Sequence, residues 1–199
     1  MTYMFDDTQE MSLKEVVGRI IDFNYSLRDF WSSAKGWAPP EAADLLTRSR
    51  LDWQVSLSHC LNLWLEETVS EEADGRLILA WSNLGSLVEG TMKLLLSVFY
   101  KDYLNDVEQV KKRGKLVEPD QLELEQMRQF FNKRIWKPED SWDEWILHIQ
   151  WRRNAIHAFK DREIGSFDEY RNDLRMYLKF MRYVNFRLPY PDEIFMPRF

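Results

Sequence analysis

Hydrophobic residues recur at intervals of three and four along most of the chain, which is the spacing of an amphipathic helix. The first run begins at Ser12 and ends before Gly36 and the Pro39-Pro40 pair, because proline interrupts helical hydrogen bonding. A second run begins near Glu41 and keeps apolar residues on one face as far as Trp64. The pattern therefore predicts two helices in the N-terminal third.

A third run extends from Leu77 to Phe99 and is apolar on nearly all sides from Met92 onward. A helix without a polar face is expected in the middle of a fold, so we predict that this helix is central. Gly85 and Gly90 lie inside it, although glycine lowers helix stability. We interpret both as points where a neighbouring helix or a ligand comes close.

Three more helices are predicted, over Gln121 to Lys133, Ser141 to about Lys160, and Ser166 to about Arg187. Residues 105–120 are polar and predict an exposed loop, and no segment shows the alternation of a strand. The fold class is therefore all-α, an up-and-down helical bundle of about five to six helices. We expect a single domain over residues 1–199, in which helices within 12–67 pack on a core bundle of about 76–187.

Three Ser-x-x-Glu sequences indicate where helices begin. In such a capping box the serine hydroxyl and the glutamate carboxylate each accept a hydrogen bond from a backbone N–H of the first turn. The three predicted pairs are Ser12 with Glu15, Ser141 with Glu144, and Ser166 with Glu169.

The composition narrows the chemistry. A single cysteine, Cys60, excludes an intramolecular disulfide and a cysteine-based zinc site. The three histidines are scattered and form no His-Glu-x-x-His motif, and there is no glycine-rich phosphate loop, so we expect neither a metal nor a cofactor. The acidic N-terminal residues do not resemble a signal peptide, and the run from Met92 to Tyr100 is too short to span a bilayer. These features predict a cytoplasmic protein without membrane contact.

The formal net charge is −6, whereas a general binder of polyanions is usually basic. Contact with RNA would therefore be local. Two basic segments could provide it: Lys111, Lys112, Arg113 and Lys115 in the polar loop, and the stretch that contains Arg152, Arg153, Lys160 and Arg162. The alternative for the first segment is an ordinary solvated loop.

The strongest functional signal is the segment Trp151 to Phe159, which contains an arginine and a histidine with four residues between them, Arg152 and His157. This R-x4-H motif, with Asn154 inside it and a late position in a helical protein, resembles the signature of the HEPN superfamily (higher-eukaryote and prokaryote nucleotide-binding domains). The resemblance implies a helical bundle and, in catalytic members, metal-independent cleavage of RNA by the ribose 2′-OH. It also implies a homodimer that brings two motifs into one cleft.

Side-chain chemistry suggests a role for each residue of the motif. His157 could act as general acid or base, since imidazole titrates near neutrality. Arg152 could bind the phosphate and offset charge in the transition state, and Asn154 could orient either group. One histidine cannot easily be acid and base at once, which is consistent with a dimeric site. A toxin or defence role with a protein antitoxin is one expectation, but Phe159 stands where HEPN toxins modified by a nucleotidyltransferase carry tyrosine.

Helix geometry favours a different arginine. In a continuous helix Arg153 and His157 would share a face, because residues four apart lie together, whereas Arg152 would be offset. A break in the helix near His157 would remove the conflict. We place Arg152 first and keep Arg153 as the alternative.

Several observations would also fit a chain without catalysis. His157 could be a core histidine, the two arginines could pair with Glu163, Asp168 or Glu169, and Glu89 could pair with either arginine or be partly protonated. His59 and His148 are expected to be structural, and Trp142, Trp145 and Trp151 are expected to pack in the core, although they could stack on bases. The alternative function is a HEPN-like module that binds RNA, a nucleotide or a protein.

Overall fold

The computed structural model describes residues 6–66, 71–157, 159–192 and 195–199. Within these ranges the chain is mostly α-helical, and it contains eight α-helices and one two-stranded hairpin. The α-helices are α1 (Leu13–Trp31), α2 (Pro40–Arg48), α3 (Leu51–Cys60), α4 (Ala73–Val98), α5 (Tyr100–Asn105), α6 (Leu124–Arg134), α7 (Trp142–Arg153) and α8 (Phe167–Arg187). The strands are β1 (Lys111–Lys112) and β2 (Lys115–Leu116).

The long helix α4 is central, as its apolar sequence predicted. It contacts α2, α3, α7 and α8, and its buried residues lie on all of its sides rather than on one stripe. One hydrophobic cluster includes residues from each of the eight helices. Among the described helices none is both long and apolar enough to cross a membrane.

The predicted second helix is two helices, α2 and α3. The chain leaves the helical conformation at Ser49, whose backbone N–H and hydroxyl both donate to carbonyl oxygens at the end of α2. A serine that satisfies the last carbonyls in this way competes with continuation of the helix. This split, together with the short α5, raises the helix number above the predicted five to six.

The polar segment 105–120 is not entirely a loop. Lys111 pairs with Leu116 and Lys112 with Lys115 in an antiparallel hairpin. Its turn residues, Arg113 and Gly114, both have positive φ, which is the conformation of a tight two-residue hairpin turn. The strands are too short to show the alternation by which strands are recognised in a sequence.

All three predicted helix starts are confirmed, and at two of them the serine side chain caps the helix. The hydroxyls of Ser12 and Ser166 accept hydrogen bonds from the N–H groups of Glu15 and Glu169. A helix also begins after Ser141, as predicted, but the capping box expected there is wrong, since Ser141 has a φ of 55° and makes no side-chain cap. A short 3₁₀ turn, Pro138–Asp140, precedes it.

Candidate functional site

The fifth predicted helix ends earlier than the sequence indicated, and this determines the geometry of the motif. α7 stops at Arg153, and Asn154–Ile156 continue as a 3₁₀ turn. The turn closes with a hydrogen bond of 3.2 Å from the His157 N–H to the Asn154 carbonyl oxygen. Arg153 and His157 therefore do not share a helical face, because the α-helix has ended before His157.

His157 is exposed, so the alternative of a core histidine is wrong. Three large apolar side chains of the same segment are also exposed: Trp151 at 63%, Ile156 at 45%, and Phe159 completely. Trp151 thus departs from the prediction of core packing, whereas Trp142 and Trp145 are buried. The motif therefore ends at the surface, in a segment with three exposed apolar side chains.

Arg152 points to α8 and is largely buried, with 12% of its side chain exposed. Its Nε and Nη2 donate to Glu169 Oε1 at 3.1 and 2.7 Å, and its Nη1 donates to the Glu163 carbonyl oxygen. The predicted pairing of an arginine with Glu169 is confirmed. Asp168 instead pairs with Arg171.

Gly165 makes room for this pair. Its φ is +71°, and a Cβ atom built on it would lie 2.1 Å from Glu169 Oε2 and 3.1 Å from Arg152 Cζ. A side chain at this position would be strained in its backbone and would also collide with the carboxylate. The loop before α8 therefore requires glycine so that Arg152 and Glu169 can meet.

A second acid lies one turn further along α8. Asp173 is buried, its Oδ2 is 2.8 Å from His148 Nε2, and its Oδ1 accepts a hydrogen bond of 2.8 Å from Trp145 Nε1. The ring of Trp81 meets the His148 ring edge-on at 5.7 Å. Sequence reasoning missed Asp173, although its spacing of four from Glu169 matches that of His148 and Arg152 on α7.

The three side chains His148, Glu169 and Asp173 offer atoms within 4.8 Å of one another. Such spacing would allow a metal ion to be considered. In the structure, however, these atoms are hydrogen-bonded or ion-paired with each other, with Trp145 and with Arg152. The arrangement is a satisfied polar network between α7 and α8.

This network borders an open groove of about 500 Å³. The Nε atom of Arg162 is buried without a hydrogen-bond partner in the described part of the chain. Buried polar groups are normally paired, so this donor marks an incomplete hydrogen-bond arrangement behind the groove wall. The groove is lined by His148, Trp151, Arg152, Lys160, Asp161, Arg162 and Glu163.

Arg153 points in another direction, across α4. Its stem lies over Gly85, where an added Cβ would be 2.6 Å from Arg153 Cδ, and its Nη1 forms an ion pair with Glu89. Lys93 Nζ lies 2.8 Å from the same carboxylate. Gly85 thus admits a side chain of α7, whereas Gly90 makes room for Gln54 of α3.

Glu89 remains ionised. Burial by itself would raise the pKa of Glu89, but the hydrogen bond from Lys93 and the charges of Lys93 and Arg153 lower it below its ordinary value. Partial protonation, one of the alternatives, is therefore wrong, and the predicted pairing with an arginine is confirmed for Arg153.

The basic hairpin lies away from the motif. Next to it, Asp106 and Glu108 pair with Arg134 and Lys133 at the C-terminal end of α6, which leads into the start of α7. Arg152 and His157 lie at the other end of α7, about 18 Å along a helix of 12 residues. The structure brings Lys160 close to Arg152 but leaves Lys111, Lys112 and Arg113 apart from it.

Comparisons of the chain with protein-family models, curated sequences and solved structures return no match. Function depends on sites more than on folds. The residues at the end of α7, with the groove beside them, are thus the basis for assigning an activity.

Proposed function

We propose that the chain is a HEPN-like endoribonuclease of the toxin or defence type, which cleaves RNA without a metal ion at a site shared by two copies. The observation that supports it best is that one motif contains both a largely buried arginine that lines a groove and an exposed histidine. Arg152 lines a groove that also contains Lys160, Arg162 and Trp151. His157 is exposed on the turn that follows.

The groove has the chemistry for a phosphodiester. Guanidinium groups bind phosphate oxygens through several N–H donors, and two N–H groups of Arg152 remain beyond those that bind Glu169 and the Glu163 carbonyl oxygen. Lys160 and Arg162 add positive charge, and Trp151 offers a ring face on which a base can stack. Asp161 and Glu163 in the same wall restrict the positive region to a small area.

The surface near His157 supports a shared site. Large apolar side chains that remain exposed near one another indicate a surface used for association, and Ile156 and Phe159, on either side of His157 in the sequence, are both exposed. Two copies joined through it would bring His157 of each towards the groove of the other. The exposed Phe159 has no hydroxyl, so nucleotide attachment by an antitoxin at that position is not expected.

The test is RNA cleavage by the purified chain in EDTA. We expect fragments with 2′,3′-cyclic phosphate and 5′-hydroxyl ends, and a loss of at least about 100-fold in rate for His157→Ala. His59→Ala is the matched control, because His59 is also exposed but bonds Tyr25 on α1. Intact RNA with the unaltered chain, or full activity in His157→Ala, would reject the proposal.

A second candidate is a module of the same kind that binds RNA or a regulator protein without cleaving it. It is favoured by the ion pair between Arg152 and Glu169, which commits part of the guanidinium to the fold. The negative net charge favours it as well. Binding of RNA that survives intact, weakened by Lys160→Gln and Arg162→Gln together, would select this candidate.

A further inference from the structure

We infer that His148 is the second proton-transfer group of the site, with Asp173 as its positioning residue. The inference rests on the proposed ribonuclease function and extends it, because one histidine cannot readily serve as both acid and base. His148 lines the same groove as Arg152, and 32% of its side chain is exposed. It is therefore accessible to a substrate bound by Arg152.

The hydrogen bonds around His148 fix its reactive form. Asp173 is a carboxylate and accepts, so His148 Nε2 carries the proton of the 2.8 Å bond. In the neutral ring the lone pair then lies on Nδ1, for which no hydrogen bond is present among the described residues. Trp145 holds Asp173 from the other side, and a buried carboxylate behind a histidine stabilises the imidazolium that forms when the ring takes a proton.

The charged groups near His148 lie on α7, on α8 and in the loop between these two helices. Asp173 and Glu169 face it from α8, Arg152 lies one turn away on α7, and the packed side of α4 contributes the uncharged Trp81. The loop before α8 contributes two cations and two anions to the groove wall, which are Lys160, Asp161, Arg162 and Glu163. The two carboxylates of α8 are thus the charged groups in direct contact with the ring.

The reaction balances with two histidines. His148 Nδ1 takes the proton of the ribose 2′-OH while the 2′ oxygen forms a bond to phosphorus. The bond from phosphorus to O5′ breaks, and O5′ takes a proton from the imidazolium of a second histidine, His157. The products are a 2′,3′-cyclic phosphate and a 5′-hydroxyl, and Arg152 offsets the charge on the phosphate oxygens.

The groove of one copy contains His148 but not His157. His148 and Arg152 are among the residues that line it, whereas His157 of the same copy is not, and proton transfer requires contact at about 3 Å. In the shared arrangement His157 therefore comes from the second copy. Each cleft would contain His148 and Arg152 of one chain and the partner subunit's His157.

Complementation between inactive variants tests this arrangement. His148→Ala and His157→Ala, each with a rate lowered at least about 100-fold, are mixed and allowed to exchange subunits. Half of the dimers then carry both variants, and each has one intact cleft of two, so we expect about a quarter of the original activity. No recovery after verified exchange would overturn the shared arrangement.

Further measurements separate catalysis from folding. Added imidazole should restore part of the activity of His148→Ala. Asp173→Asn should lower kcat and change KM less, because an amide donor in place of the carboxylate would reverse the tautomer of the His148 ring. Full activity in a folded His148→Gln, or cleavage that requires Mn²⁺ or Zn²⁺ and stops in EDTA, would overturn the role of His148. The first outcome leaves the role of His157 untouched, whereas intact RNA with the unaltered chain would reject the proposed function itself.

Discussion

Arg152 and Arg153 are neighbours in sequence at the end of α7, but they form ion pairs with different helices. Arg152 and Arg153 differ by about 100° around the helix, so one joins α8 and the other joins α4. The predicted pairings of an arginine with Glu169 and of an arginine with Glu89 are both present. Helical spacing does not apply to His157, because α7 ends at Arg153 and a 3₁₀ turn follows, and such a break near His157 was an alternative that the sequence left open.

Gly85→Ala should destabilise the protein by about 1–3 kcal/mol, because the new methyl group would collide with the stem of Arg153. Chemical denaturation measures the change. Gly18→Ala is the control, since nothing lies within 4 Å of that position in α1, and there alanine should stabilise by about 0.5–1 kcal/mol. Equal effects of the two substitutions would show that Arg153 does not lie over Gly85.

At the scale of elements, the order of helices was predictable and their ends were less so. The runs that became α1, α4, α6 and α8 follow from hydrophobic spacing, and the hydroxyls of Ser12 and Ser166 cap helices where expected. The division between α2 and α3 depends on the hydrogen bonds of Ser49, and the hairpin depends on two residues of positive φ. Neither feature changes the hydrophobic pattern enough to be seen in advance. The network of His148, Glu169 and Asp173 could not be predicted, because the sequence does not show which faces of α7 and α8 meet.

The stability that the ion pair between Glu89 of α4 and Arg153 of α7 contributes to the fold should depend on pH. Because the pKa of Glu89 is lowered in the folded protein, the ionised carboxylate stabilises the fold above its unfolded value of about 4.5, and this contribution disappears as the pH falls through the lower folded value. We expect Glu89→Gln to cost about 1–3 kcal/mol at pH 7, with the difference from the unaltered chain narrowing below about pH 4.5. Unfolding by urea from pH 7 to pH 3 measures it.

Glu15→Gln provides the comparison, since Glu15 pairs with Arg19 at 3.9 Å on the exposed side of α1. Such surface pairs contribute little, so its effect should be small at every pH. A constant difference between Glu89→Gln and the unaltered chain across the range would contradict the assignment.

For the whole molecule, the distribution of exposed apolar residues bears on assembly. We expect a dimer that forms through Ile156 and Phe159, because a specific interface buries large side chains in its middle. Ile156→Ser combined with Phe159→Ser should give a folded monomer in analytical ultracentrifugation and should abolish RNA cleavage.

Trp53→Ser is the matched control for assembly. Trp53 is also exposed, at 58%, but it lies on α3 under the guanidinium of Arg50. This variant should remain dimeric and active. A monomeric unaltered chain at concentrations that cleave RNA would contradict the expected assembly.

The two adjacent arginines also limit how α7 can change during evolution. Inserting or deleting one residue before them would turn the helix end by about 100°, so that Arg152 would face the position of its neighbour and both anchors would be lost together. Length variation in α7 should therefore be tolerated only in steps close to a full turn. In homologous sequences, the number of residues from Trp145 to Arg153 should stay fixed even where the residues between them differ.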